Sequence, residues 1–492
     1  MAVVKTKEPV DVELLNKLGF PTEEENGEYW IEITPNRPDL LSITGIKRFL
    51  ALQKGEKPRK YYAQKWDIEF INKKPSLRPY IEIGLAQLPE PSPSLIEELI
   101  DLQEKIHETF GRKRKKIAIG IHDYGKIKPP IIYEEVKEER FVPLGWDREA
   151  SIEEILNEHE KGIAYRHLVK EGHYPMLKDS LGVLSFPPII NSERTKITEE
   201  TTQFFIDITG TNPHALLQTL NILLALFQDH GAEVWAYNPQ AMKYYEIEAP
   251  SSQIESLIGF QAPYKELLQK SGIEYDGQKA IIPPYRVDFM DWTDVAEEVA
   301  INYGYENITP QEYFVPHYGK VREEPFIDTF LRMGFREVHT WFLGDKNLFK
   351  EYYDNVQEIQ NPLTEQFNSL RPGLEIPLLE MEARNKREPF PHETVELGKI
   401  YNNGERWQLG FLIGKDPVKV EDYMSVFKTL AQEEKLPVKI TEENKNPRLF
   451  LDEFAYSGRI GEYDFWAGIV KPEVLERFGI DYGVALGVID LK

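Results

Sequence analysis

The apolar and polar positions of the chain fall into four successive patterns. Residues 12–18 and 40–52 have helical spacing, residues 29–33 read as a strand, and Thr34-Pro35-Asn36-Arg37-Pro38-Asp39 forms a turn between strand and second helix. Lys54-Gly55-Glu56-Lys57-Pro58 stops that helix, which predicts a small α+β module over residues 1–75. Prolines 79, 89, 91 and 93 mark a linker, after which residues 94–110 form an amphipathic helix ending at Gly111. Short β runs at 117–122, 131–136 and 204–209 then alternate with helices, the clearest at 213–228, so residues 76–241 read as an α+β domain. A third module, residues 242–318, carries helices at 251–258 and 264–271, a strand pair running to Val287, and a last helix from about Thr293 to Gly304. From Phe326 onward a helix precedes strands such as 394–400, 407–414 and 465–470, which makes residues 319–492 a mixed antiparallel sheet with helices.

Length agrees with this division, because 492 residues at roughly 100–200 per domain require several domains. An apolar fraction of 41% and a charged fraction of 29% are those of a soluble protein able to bury a core unaided. The absence of cysteine excludes disulfides, thiolate metal sites and cysteine nucleophiles, and fits a reducing cytoplasm. Acids at Glu8, Asp11 and Glu13 interrupt any secretory signal, and Gln218, Thr219 and Asn221 interrupt the longest apolar stretch, so no membrane segment is expected. Acids outnumber bases 82 to 59, for a net charge of −23. Contact with nucleic acid must then be local or shared with a partner, since phosphates are neutralised by Lys and Arg.

Four segments carry candidate chemistry. Gly120-Ile121-His122-Asp123-Tyr124-Gly125-Lys126 has the spacing of a phosphate loop, but Ile127 follows where a hydroxyl is needed, so a turn is the better reading. Arg112-Lys113-Arg114-Lys115-Lys116 places five bases where a helix ends; such runs complement the helix dipole or form a solvated face, and this one is also the first candidate RNA patch. In residues 183–195, Pro187 and Pro188 stiffen the backbone, and Ser185, Asn191, Ser192 and Thr195 supply small polar groups; with Asp207 and Thr209 nearby they make either a structural turn or a ligand pocket. Finally, a helix starting near Thr293 puts Asp294, Glu297 and Glu298 on one face, with Asp288 on the incoming strand. These four carboxylates either complement the helix dipole or hold a hard cation such as Mg2+.

Across these segments the chain resembles the β subunit of phenylalanyl-tRNA synthetase of the archaeal and eukaryotic type. The resemblance runs in order through residues 32–42, Ala118-Ile119-Gly120-Ile121-His122-Asp123, residues 184–195, Pro283-Pro284-Tyr285-Arg286-Val287-Asp288 and residues 297–305. It implies a B3/B4-type editing domain, a B5-type winged-helix-like module and a class II synthetase-like fold without catalysis. It also implies an α2β2 heterotetramer with a catalytic α subunit, charging tRNA(Phe) with ATP, and an editing site that hydrolyses mischarged tyrosyl-tRNA. Leu370-Arg371-Pro372-Gly373-Leu374 has glycine where the family's ATP-gripping motif needs glutamate, and residues 483–490 lack the arginine of the third motif. No catalytic residue for aminoacylation is therefore expected here. Carried over residue by residue, the family's Mg2+ site falls on Asp288, Asp294, Glu297 and Glu298. The editing pocket falls between Ser185, Asn191, Ser192 and Thr195 on one side and Asp207 and Thr209 on the other, with Asp207 accepting the tyrosine hydroxyl. The alternative is a non-editing scaffold or tRNA-binding subunit with a vestigial pocket.

Overall fold

A computed structural model describes residues 2–310 and 326–491, which belong to two compact units. The expected boundary at residues 318/319 lies outside the described residues.

The first unit opens with a three-stranded antiparallel sheet in which Glu28–Ile33 lies between Ala2–Thr6 and Thr22–Glu25. Pro38–Leu40 forms a single 3-10 turn, and the helix proper is Ile43–Gln53. It begins later than the apolar spacing predicts because the Ser42 hydroxyl accepts the Gly45 amide at 3.0 Å and so caps it.

A five-stranded sheet comes next, with Gln203–Gly210 paired antiparallel to Tyr80–Gln87 on one side and Ile117–Asp123 on the other. Every residue from Phe204 to Gly210 is buried, because both faces of this strand are covered. Phe204, Ile206 and Ile208 join the core under helix Pro213–Asp229, packing with Leu216, Leu220 and Leu223. Strand alternation turns Phe205, Asp207 and Thr209 the other way, where Phe205 packs with Tyr133, Leu177 and Leu184 of a second five-stranded sheet. The observed elements therefore match the predicted β runs to within a residue or two.

Residues 245–303 fold as a three-stranded sheet, Tyr245–Glu248, Lys279–Ile282 and Glu274–Tyr275, against helices Ser251–Ile258, Tyr264–Gln269 and Trp292–Tyr303. One hydrophobic core runs through Val4, Ile31, Ile46, Leu99, Phe204, Leu223 and Tyr285, so the N-terminal module shares its interior with the later segments of the first unit. Arg48 stacks over Tyr285 at 3.9 Å, and Gln53 bonds Asn302 at 2.6 Å.

The second unit is a seven-stranded sheet ordered Arg336–Glu337, His392–Tyr401, Glu405–Gly414, Val484–Leu491, Tyr463–Val470, Phe450–Ile460 and Val438–Thr441. Its first pair is parallel and the rest antiparallel. Alternation again builds two cores: Leu409, Phe411 and Ile413 pack with helix Val420–Glu433, while Leu412 packs with helix Glu375–Asn385. No helix among the described residues is long and apolar enough to cross a membrane.

Candidate functional site

A cavity of about 630 Å³ opens between the central strand of the first unit and the proline-stiffened segment. Ser185, Pro187, Pro188, Asn191 and Thr195 line one side, and Gly120, Asp207 and Thr209 line the other. Five of the six residues expected at a pocket thus meet there. The sixth, Ser192, does not line it: its hydroxyl caps a turn at the Arg194 amide and donates to the Val142 carbonyl, both at 3.3 Å. The Pro187–Pro188 peptide is cis and sits between strands Gly182–Phe186 and Ile190–Asn191.

Asp207 is 1% exposed, and its position is set from behind. His122, fully buried, places Nε2 at 2.9 Å from Asp207 Oδ2 and Nδ1 at 2.8 Å from Thr195 Oγ1. An ionised Asp207 requires the proton on Nε2, which leaves Nδ1 to accept the Thr195 hydroxyl. His122 lies opposite Phe205 in the ladder and Gly120 lies opposite Asp207, so the imidazole reaches Asp207 diagonally on one sheet face. Gly120 makes that reach possible: a Cβ there would stand 2.1 Å from Asp207 Oδ2 and 2.9 Å from His122 Nε2. Sequence reasoning named Asp207 but missed His122; the signal was strand alternation, which puts His122 and Gly120 on one face.

Two buried polar atoms lining the cavity, Ser185 Oγ and Arg114 Nε, have no hydrogen-bond partner among the described residues. The Ser185 hydroxyl is buried without a hydrogen bond in the protein, a state that costs about 1–3 kcal/mol unless a bound molecule relieves it. The wall itself is clamped by Arg114, whose Nη1 donates to the carbonyls of Pro188 and Ile189 at 3.3 and 2.9 Å and whose Nη2 meets Glu104 at 2.9 Å. Arg78, buried and pulled down to about 10 by that burial, donates to the Thr209 carbonyl at 2.7 Å and to the carbonyls of Arg114 and Lys115. Two buried guanidiniums therefore tie the strand end, the basic run and the proline wall together.

The acidic constellation is arranged differently from a four-carboxylate cation site. Asp288 meets Arg286 through both oxygens, at 2.9 and 2.7 Å, and Glu298 meets the same guanidinium at 2.7 Å. Glu298 also accepts from Ser271, while Asp294 accepts the amides of Met290 and Asp291 as part of a capping box. Against burial, these carboxylates hold Arg286 well above its ordinary range, and Arg286 holds Asp288 below its own. Repulsion between Asp288 and Glu298 is thus offset by an internal cation. Glu297 is exposed and outside this network, and no group of three or more His, Cys, Asp or Glu among the described residues is arranged to hold a metal.

The second unit has a larger cavity, about 750 Å³, lined by Gly373, Glu375, Arg406, Lys445, Arg448, Trp466 and others. Several of its charged groups serve one another or the fold. Glu375 is buried, which raises its carboxyl, and takes Trp466 Nε1 at 2.9 Å and the Tyr353 hydroxyl at 2.8 Å. Arg371 does not reach into a nucleotide site; it is buried against Glu396 at 2.6 Å.

Comparisons with known proteins match residues 89–223 to the B3/4 domain, residues 247–305 to the tRNA synthetase B5 domain and residues 319–491 to the phenylalanyl tRNA synthetase beta chain CLM domain. The chain is 33% identical to the phenylalanine–tRNA ligase beta subunit of Archaeoglobus fulgidus, over 94% of this chain and 91% of that protein. It is 36% identical to the beta subunit of Pyrococcus abyssi over 76% of this chain and 74% of that one. A solved N-terminal fragment of the phenylalanyl-tRNA synthetase beta-subunit from Pyrococcus horikoshii aligns with a TM-score of 0.55 and 36% identity, covering 59% of this chain and 92% of the fragment.

Proposed function

The chain belongs to the phenylalanine–tRNA ligase β-subunit family, and from that premise we propose that its first-unit cavity hydrolyses tyrosyl-tRNA(Phe) made in error. As a β subunit it is part of the ligase complex that charges tRNA(Phe). The further reading is an α2β2 heterotetramer with the synthetic site on α. In it, the second unit is a class II synthetase-like fold kept for structure and residues 242–318 are a winged-helix-like module.

The observation that carries the editing reading is the buried Asp207 carboxylate, anchored by His122 on one oxygen and lining a cavity that also holds the unpartnered Ser185 hydroxyl. A tyrosine phenol donates its hydrogen to Asp207. Phenylalanine has no such hydrogen and would leave the carboxylate oxygen not bonded to His122 without a partner, an arrangement that discriminates strongly between these two side chains. An aminoacyl ester is already reactive, so no protein nucleophile is needed. Water adds to the ester carbonyl, the ester C–O bond breaks, and tyrosine and the 3′-terminal hydroxyl of the tRNA leave. The Ser185 hydroxyl and the polar wall orient the water or donate to the developing oxyanion. The deciding experiment is deacylation of preformed tyrosyl-tRNA(Phe) by the purified complex. Tyrosine release faster than the spontaneous rate supports editing; release no faster supports the scaffold with a vestigial pocket.

Ligases of this kind use ATP and Mg2+. Of the four carboxylates, Asp294 and Glu297 are the pair outside the Arg286 cluster, at i and i+3 on one helix, and magnesium commonly takes only one or two carboxylates and keeps its waters. Glu297→Gln should therefore weaken magnesium in a calorimetric titration of the complex, with a stability change below about 1 kcal/mol. Glu298→Gln should instead lower stability, because it removes a counter-charge from buried Arg286.

A further inference from the structure

The basic run at 112–116 is not the end of a helix. Helix Pro93–Glu108 stops before it, and Arg112, Lys113 and Arg114 take φ of 51°, 52° and 63°, three successive left-handed residues with side chains. Each such residue costs about 1–2 kcal/mol, so the turn persists only because its surroundings hold it. Arg114 turns inward to the cavity wall and stacks on Tyr165 at 4.4 Å, while Arg78 takes the carbonyls of Arg114 and Lys115. Inverting one base in this way leaves Arg112, Lys113 and Lys115 exposed on a rigid turn, and none of the ion pairs among the described residues uses them. Lys116, half-buried beside them, is held below its ordinary range by burial and by Arg112. A self-repelling cationic cluster on a chain of net charge −23 is stable in the presence of an anion. Arg114 and Lys161 line the cavity itself, which places the turn at its margin.

We propose that Arg112, Lys113 and Lys115 form a phosphate-contact site for the single-stranded 3′ end of an RNA whose terminus enters the first-unit cavity. The occupant is inferred from the cavity, so the proposal rests on the aminoacyl-ester reading above. The left-handed turn presents three charges without side-chain partners along one rigid arc, which suits consecutive phosphates of a strand. The inward Arg114 couples that arc to the wall at Pro188 and Ile189.

The test is binding of a fluorescent acceptor-stem RNA hairpin with a single-stranded 3′ end to the full chain across a salt series. The combined Arg112→Gln, Lys113→Gln, Lys115→Gln variant should bind about tenfold or more weakly at low salt, with the slope of log affinity against log salt smaller by about 2. The charge-keeping combination Arg112→Lys, Lys113→Arg, Lys115→Arg should bind as the original does. Unchanged affinity and slope in the glutamine variant would overturn the proposal, as would equal losses in both combinations, which indicate a collapsed turn. Tyrosyl ester release, measured in parallel, judges the editing reading separately: wild-type chain that binds the hairpin through these residues but releases no tyrosine keeps the contact site and rejects editing.

Discussion

Two cavities among the described residues, the one beside Glu375 and the one beside Asp207, are similar in size and differ in how their polar groups are satisfied. In the larger one, Lys445 meets Glu443, Arg448 meets Asp354 and Arg459 meets Asp464 at 2.6–3.1 Å, and Glu375 has both oxygens occupied. In the smaller one, Ser185 has no partner and Asp207 is anchored through one oxygen. A buried polar group without an internal partner costs stability that a bound molecule could restore, whereas a group already paired inside the protein offers a ligand less. Volume alone would have selected a different cavity from the one proposed.

Four experiments test that contrast, and the largest effect belongs to the second unit. Glu396→Ala leaves Arg371 buried without its carboxylate and should lower the stability of that unit by about 3–5 kcal/mol, read from its denaturant midpoint. Tyrosyl-tRNA deacylation by the folded variant should not change. Asp207→Ala should do the reverse: phenylalanine charging intact, and tyrosyl-tRNA deacylation slower by about five- to 150-fold for a loss of roughly 1–3 kcal/mol. Normal deacylation by this variant would remove Asp207 from the site.

The third experiment uses pH. His107 is pushed down to about 4 by burial, with Arg114 and Lys161 adding to the effect against Glu104, and its Nε2 accepts the Ile119 amide at 2.8 Å. Its folded value lies below its unfolded one, so the stability it supplies is complete above about 6.5 and is lost as pH falls from there towards about 4. The first unit should lose on the order of 1–3 kcal/mol over that window, and His107→Gln, which keeps an acceptor, should flatten the curve. The smallest effect is expected from Lys445→Gln, an exposed pair in the larger cavity. Stability should move by less than about 1 kcal/mol, with charging and deacylation unchanged. A large functional change there would break the comparison.

Much of this arrangement was legible before folding, and the residues show why. Strand Gln203–Gly210 and helix Ser251–Ile258 are set by local apolar patterning and lie where the pattern places them. The meeting of residues 185–195 with Asp207 and Thr209 was readable as chemistry, though not as geometry. His122 was invisible in its role because it acts across a ladder, from a strand far away in sequence. The acidic constellation differs in another way. Arg286 stands two residues before Asp288, and counting carboxylates alone overlooks that this cation pairs with Asp288 and Glu298. The basic run was read as a helix end because charge and position agree with that use; only backbone dihedrals show that its central arginine points inward.

The core shared between Val4 and Tyr285 has a consequence in time. Helix Ile43–Gln53 leaves the ribosome well over 200 residues before its partners Tyr285 and Asn302 are made. At about 5–20 residues per second, the nascent helix waits on the order of 10–50 s before Arg48 finds its ring and Gln53 its amide. Through that interval the apolar side of the helix that Tyr285 covers in the finished protein stays open to chaperones and proteases.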